Sequence, residues 1–148
     1  MKRLIFILNL VLILAWSNFA QDYNLKHDYT TKLKTQFTKT ILSKIEKGIS
    51  NGNISTLSRF LSQQTYLSLL NGVSGYYSSN QAYYVLENFF NEYHVTSFRF
   101  DDVNIDKTTT YATGTYYFER KGNRSEAKVY ITLKLSGKAW QITQISIN

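Results

Sequence analysis

The chain has 148 residues, with twelve Tyr, nine Phe, no Cys and no Pro, and its 17 basic and 10 acidic residues give a formal charge of +7. Without Cys there can be no disulfide, thiolate nucleophile or Cys-based metal site, so stability must come from packing. The basic residues are scattered rather than gathered into a stripe, which argues against a nucleic-acid binder.

Met1-Lys2-Arg3 opens the chain, followed by an apolar run from Leu4 to Trp16, then Ser17-Asn18 and Ala20. A charged start, a short apolar middle and a small residue at a cut site are the three parts of a secretory signal peptide. A spanning helix needs about 20 apolar residues, whereas this run is shorter and is interrupted by Asn9. Residues 1–20 are therefore expected to be a leader removed after Ala20, with a retained anchor helix as the competing interpretation. Export places the protein in a periplasm or outside the cell, with no stable membrane span after processing. Loss of Lys2 and Arg3 lowers the formal charge to +5. Residues 21–31 are polar and aperiodic and suit a flexible lead-in. Residues 32–148 suit one domain, which at this length buries roughly two-thirds of its unfolded surface.

Leu33, Phe37, Ile41, Leu42, Ile45 and Ile49 recur at steps of three and four, predicting a long helix that ends at Asn51-Gly52. Asn53 is a candidate N-cap for a short second helix with Leu57, Phe60 and Leu61 on its buried face. The period then becomes two, with Thr65, Leu67 and Leu69 on one side of a short strand. Asn71-Gly72 and Gly75 turn that strand into Tyr76-Tyr77. Ser78 or Ser79 caps a third helix whose apolar band is Ala82, Val85, Leu86, Phe89, Phe90 and Tyr93. From Val95 the pattern predicts four antiparallel strands joined by hairpins at 121–124 and 136–138. Phase shifts near Asp101-Asp102 and between Ile142 and Ile145 predict β-bulges, hence a strongly curved sheet with a concave side.

Gly52-Asn53 with Leu57, Gly75-Tyr76-Tyr77-Ser78 running into Gln81-Ala82, Leu86, Phe89-Phe90, Ser97-Phe98, Tyr111-Ala112-Thr113-Gly114-Thr115, Val129-Tyr130-Ile131 and Trp140-Gln141-Ile142 carry a resemblance. The chain resembles the nuclear transport factor 2-like, or cystatin-like cone, architecture. More closely it resembles a family of small exported bacterial proteins of unknown function with that architecture, over roughly residues 45–147. The resemblance implies an α+β fold: long helix, short helix, short hairpin, third helix, then a curved four-stranded meander. Where it would place a His after the strand containing Phe98, this chain has Phe100 and Asp101.

Motifs for chemistry are sparse. His27 and His94 are far apart and make a poor zinc site. Residues 102–106 alternate oxygen ligands like the start of a calcium loop, but Lys107 and Thr113 stand where Gly and Glu belong. Gly72-Val73-Ser74-Gly75 is one residue short of a nucleophile elbow and lies in a hairpin. His94 suits a helix C-terminus as well as it suits a catalytic base. No catalytic residue, metal ligand or cofactor is expected.

Two surfaces remain. Leu67, Leu69, Tyr77, Phe90, Phe98, Tyr116, Ile131 and Trp140 are expected on the concave side, lining a ligand pocket or else filling a packed core. Thr113, Thr115, Tyr117, Tyr130, Thr132 and Lys134 are expected on the outer face of the sheet, as an interface for a second copy or as ordinary wet surface. The expected function is an exported, non-catalytic protein that binds a small apolar ligand or a protein partner. A pocket enzyme of isomerase or hydrolase type, or a homodimeric interaction module without ligand, is the alternative.

Overall fold

A computed structural model describes residues 31–148. The leader and nearly all of the lead-in lie outside the described residues. Contacts divide the chain into two units, Met1–Phe37 and Thr38–Asn148, and the second carries the core.

Helix α1 runs over residues 31–50. Leu33 and Phe37 of the expected stripe are exposed, and burial begins at Thr38, followed by Ile41, Leu42, Ile45 and Ile49. The helix closes in a Schellman motif: the Asn53 N–H donates to the Gly48 carbonyl at 2.8 Å and the Gly52 N–H to the Ile49 carbonyl at 2.9 Å. Gly52 adopts φ +59°, the left-handed region that only glycine enters cheaply. Helix α2, Ile54–Ser58, starts at once, capped by the Asn53 side chain, which accepts from the Thr56 N–H. Leu61 is not part of this helix. It opens strand β1, Leu61–Leu69, because the chain leaves α2 after one turn and Ile142 takes up the Phe60 carbonyl in a sheet bond.

β1 pairs with β2, Ser74–Ser78, as an antiparallel hairpin. Helix α3, Ser79–Glu92, begins with a capping box between Ser78 and Gln81 and buries Ala82, Leu86, Phe89 and Phe90. His94 opens strand β3, His94–Ile105, and its side chain is exposed. β4 (Thr109–Arg120), β5 (Asn123–Ser136) and β6 (Ala139–Ile147) follow as antiparallel neighbours.

All six strands form one sheet in the order β2-β1-β6-β5-β4-β3. The hairpin and the meander expected from the sequence are thus joined through β1 and β6, which lie parallel. Bulges interrupt the β3–β4 register between Phe100 and Asp102 and the β5–β6 register between Thr132 and Leu133, at the two phase shifts in the sequence. Each adds a residue to one strand and bends it. β3 is an edge strand, and α1 covers part of that edge. The Phe100 N–H donates to Glu46 Oε2 at 2.9 Å, and the Ser50 hydroxyl donates to the Phe98 carbonyl at 2.9 Å. Occupied edge groups are unavailable for pairing with another chain.

Candidate functional site

Strand alternation sorts the side chains of β4 into two opposite environments. Ala112, Gly114, Tyr116 and Phe118 point to the helices and are buried, while Tyr111 and Tyr117 on the other side are exposed. On β5 the inward set is Ala127, Val129, Ile131 and Leu133.

The eight positions expected on the concave side lie in or against the buried core. Leu67, Leu69, Phe90, Phe98, Tyr116, Ile131 and Trp140 belong to the buried core, and Tyr77 packs half-buried against it. At these positions side chains meet side chains. The Phe89 ring stacks on Tyr93 at 4.7 Å and approaches Tyr116 at 6.1 Å, and Tyr116 stacks on Phe118 at 5.7 Å. Phe98 and Phe100 meet edge to face at 5.1 Å. Gly114 allows the Phe98 ring to lie flat on β4, since a Cβ there would come within 2.8 Å of that ring and 2.4 Å of the Arg99 carbonyl oxygen. The Tyr116 hydroxyl donates to the Tyr93 carbonyl at the end of α3, so this fully buried phenol is satisfied. Burial pushes its pKa well above the ordinary phenol value. At these positions the described side chains pack against one another in the buried cluster.

The outer face is organised in cross-strand rows. One row runs Asn104, Tyr111, Thr132, Gln144, Tyr66, Tyr76 across all six strands, and the next runs Asp102, Thr113, Tyr130, Ser146, Ser68, Ser74. Tyr117 and Tyr130 are 45% and 48% exposed, and Tyr111 and Tyr76 reach 54% and 73%. Of the six residues expected here, Tyr117, Tyr130 and Lys134 are exposed, and Thr113 and Thr132 are half-buried. Thr115 is almost buried and committed: its hydroxyl donates to Asp101 Oδ2 at 2.8 Å and accepts from Lys128 Nζ at 2.8 Å. Tyr111 could have been added from its phase with Tyr117. Tyr66, Tyr76 and Gln144 join the face only through the β1–β6 pairing, which left no local signal. At the far end the Tyr66 ring meets Tyr76 edge-on at 5.1 Å, and the Tyr66 hydroxyl lies 3.0 Å from the Ser74 hydroxyl.

Between the two rows lies an open groove of about 390 Å³ lined by Tyr111, Ala112, Thr113, Tyr130, Ile131, Thr132, Gln144 and Ser146. No lining residue is charged. A second groove of about 510 Å³ follows the other end of β4, along Ser97, Tyr117, Arg124 and Glu126. A third, of about 490 Å³, lies at the start of α3 beside Ser58, Asn80, Tyr83 and Tyr84.

Several charged groups serve the scaffold. Arg120 donates to Glu92 Oε1 from Nε at 3.0 Å, and its guanidinium covers the Tyr93 ring at 4.7 Å. Asp101 and Asp102 sit at the β3 bulge, where Lys128 Nζ lies 3.7 Å from Asp101 Oδ2. Among the described residues, no three His, Cys, Asp or Glu side chains come together and no helix is long and apolar enough to cross a membrane.

The fold recurs in solved structures. A protein from Bacteroides uniformis, described as a DUF4783 family protein, is 18% identical, with a TM-score of 0.66 over 72% of this chain and 94% of that one. One from Bacteroides fragilis of the same family is 19% identical, with a TM-score of 0.62 over 70% and 93%. An NTF2-like protein of unknown function from Shewanella oneidensis is 13% identical, with a TM-score of 0.58 over 77% and 98%. These likenesses establish an NTF2-like fold of helices on a mixed six-stranded sheet. Nothing among the curated proteins matches the sequence. Residues 42–148 match the family model described as a domain of unknown function, DUF4783, and the chain belongs to that family.

Proposed function

We propose that this protein is an exported, non-catalytic binding module that recognises its partner through the outer face of the sheet. The observation that carries the proposal is the contrast in how the two faces use their tyrosines. Tyr116 and Tyr93 are spent on the core, whereas Tyr111, Tyr117, Tyr130 and Tyr76 are held out to solvent on a rigid sheet. Exposed tyrosines offer a large, stiff contact area with a polar tip, and little side-chain entropy is lost when they are covered. Thr113, Thr132 and Lys134 complete the contact surface. Tyr77 and the other concave-side positions support it from behind as core, so binding of an apolar small molecule there has less in its favour than binding outside. Export rests on the leader at residues 1–20.

Two measurements test this. N-terminal sequencing of the protein recovered from its source organism is expected to begin at Gln21, and an intact Met1 would remove the export claim. Covalent tyrosine footprinting, comparing the protein in its native compartment with the purified protein, is expected to show Tyr117 and Tyr130 protected and the helix residue Tyr84 unchanged. Equal labelling of all three would remove the outer face from consideration.

A further inference from the structure

We infer that the groove between Tyr111 and Tyr130 is a binding site for a neutral oligosaccharide lying across the strands. This rests on the outer face being the recognition surface and names the class of ligand it takes.

Three features of the groove converge on that class. The first is charge: the protein is basic, yet the side chains lining the groove are all neutral. A site for phosphate, carboxylate or sulfate would place Lys or Arg against the ligand. Lys128, on the row beyond Thr113 and Tyr130, is engaged with Thr115 and Asp101, and the exposed Lys134, on the row beyond Tyr111 and Thr132, is not among the groove's lining residues.

The second is the state of the polar groups. Within the described residues, the side chains of Tyr111, Thr113, Tyr130, Thr132 and Gln144 have no hydrogen-bond partner, and neither tyrosine ring packs on another ring. The groove floor is made of the interior strands β4, β5 and β6, whose backbone groups are used in the ladders between them. Side-chain hydroxyls, phenols and one amide are therefore what a ligand meets. An extended peptide, which needs free backbone groups to pair with, finds none here. A second copy packed dry on this face would bury these groups with too few partners. A sugar carries a hydroxyl on most ring carbons and can satisfy donors and acceptors alike.

The third is the geometry of the rings. Tyr111 stands opposite Thr132, and Tyr130 is two residues before Thr132 on β5, so the two tyrosines are diagonal neighbours about 7 Å apart at their Cα atoms. A pyranose presents C–H groups on its faces, which suit the negative face of a phenol ring. The row continues through Gln144 to the Tyr66–Tyr76 pair, four strand spacings or about 19 Å from Tyr111, a length that calls for a chain of rings rather than one.

The test is a titration of the isotope-labelled protein with cellohexaose, laminarihexaose and maltohexaose, followed by amide shifts. At least one sugar is expected to move the signals of Tyr111, Tyr130, Thr132 and Gln144. Tyr111→Ala and Tyr130→Ala are each expected to weaken that sugar about tenfold or more, with the melting temperature unchanged, while Tyr84→Ala leaves binding intact. Absence of shifts with all three sugars, shifts that map elsewhere, or undiminished binding by both variants overturns the inference. Light scattering separates this failure from failure of the underlying proposal. Should the sugars fail while Tyr130→Ala dissolves a dimer, the groove belongs to a second copy and the outer face remains the recognition surface. Should the sugars fail with the outer tyrosines equally labelled in the native compartment, both proposals fall.

Discussion

Tyr116 and Tyr117 are consecutive on β4, yet the first is completely buried and the second is 45% exposed. The same residue type serves the core on one face of the sheet and the solvent on the other. On the inner face the Tyr116 phenol has a hydrogen-bond partner, and Phe89, Phe90, Tyr93, Tyr116 and Phe118 meet ring to ring. On the outer face the side chains of Tyr111, Thr113, Tyr130, Thr132 and Gln144 have none among the described residues, while the Ser146 hydroxyl accepts from Asn148 Nδ2 at 2.8 Å. The comparison teaches where this domain keeps its binding capacity. A face that satisfies itself is structure, and a rigid face that leaves its polar groups open is available for recognition.

The comparison can be broken most directly at Phe89, which touches Phe90, Tyr93 and Tyr116 and is fully buried. Phe89→Ala is expected to destabilise by about 3–5 kcal/mol in denaturant unfolding, the range for removing a buried aromatic ring. Gly114→Ala comes next, at about 2–3 kcal/mol, because its Cβ would collide with the Arg99 carbonyl and the Phe98 ring rather than with a mobile side-chain end.

Tyr116→Phe leaves the buried Tyr93 carbonyl without its donor and should cost about 1–2 kcal/mol. It also has a pH signature. Burial raises the folded pKa of Tyr116 above its unfolded value, so the stabilisation is fully present below about pH 10 and is lost as pH rises further. The parent protein should therefore lose stability more steeply above that pH than the Phe variant, as measured by urea midpoints at pH 9 to 11 in steps of about half a unit.

Thr110 sharpens the contrast from the other direction, for its hydroxyl is buried on the inner face and has no partner. Thr110→Val keeps the shape and removes the orphan, with an expected gain of about 1 kcal/mol in the same assay. The smallest effect is expected outside: Tyr130→Ser should stay within about 0.5 kcal/mol of the parent, since the ring contributes little to the folded state. A large loss there would mean that the outer face is structural after all.

Much of this was legible along the chain because the signals were local. The Schellman close at Gly52, the Asn53 cap, the Ser78 capping box and the bulge opposite Thr113 each depend on residues a few positions apart. The alternation of β5 placed Val129, Ile131 and Leu133 inward and Tyr130 outward with no knowledge of neighbours. The limits of that approach show at Leu61 and at the start of α1. Leu61 has the spacing of a helix position but is claimed by β6. Leu33 and Phe37 carry the same period as Ile41 and Ile45 yet are exposed, since periodicity states which face a residue shares and not whether anything covers it.

The sequence by itself determined the kinds of element, several of their caps and turns and the two-sided character of the strands, because hydrophobic period, caps and turns act over a few residues. Only the tertiary structure decided that β1 lies parallel to β6, a pairing between segments some eighty positions apart. That pairing brings Tyr66 and Tyr76 into the same row as Tyr111 and Gln144. It likewise decided that the concave-side aromatics meet one another. Whether inward-pointing rings enclose a space or fill it depends on the distance between helix and sheet, and no single stretch of chain encodes that distance.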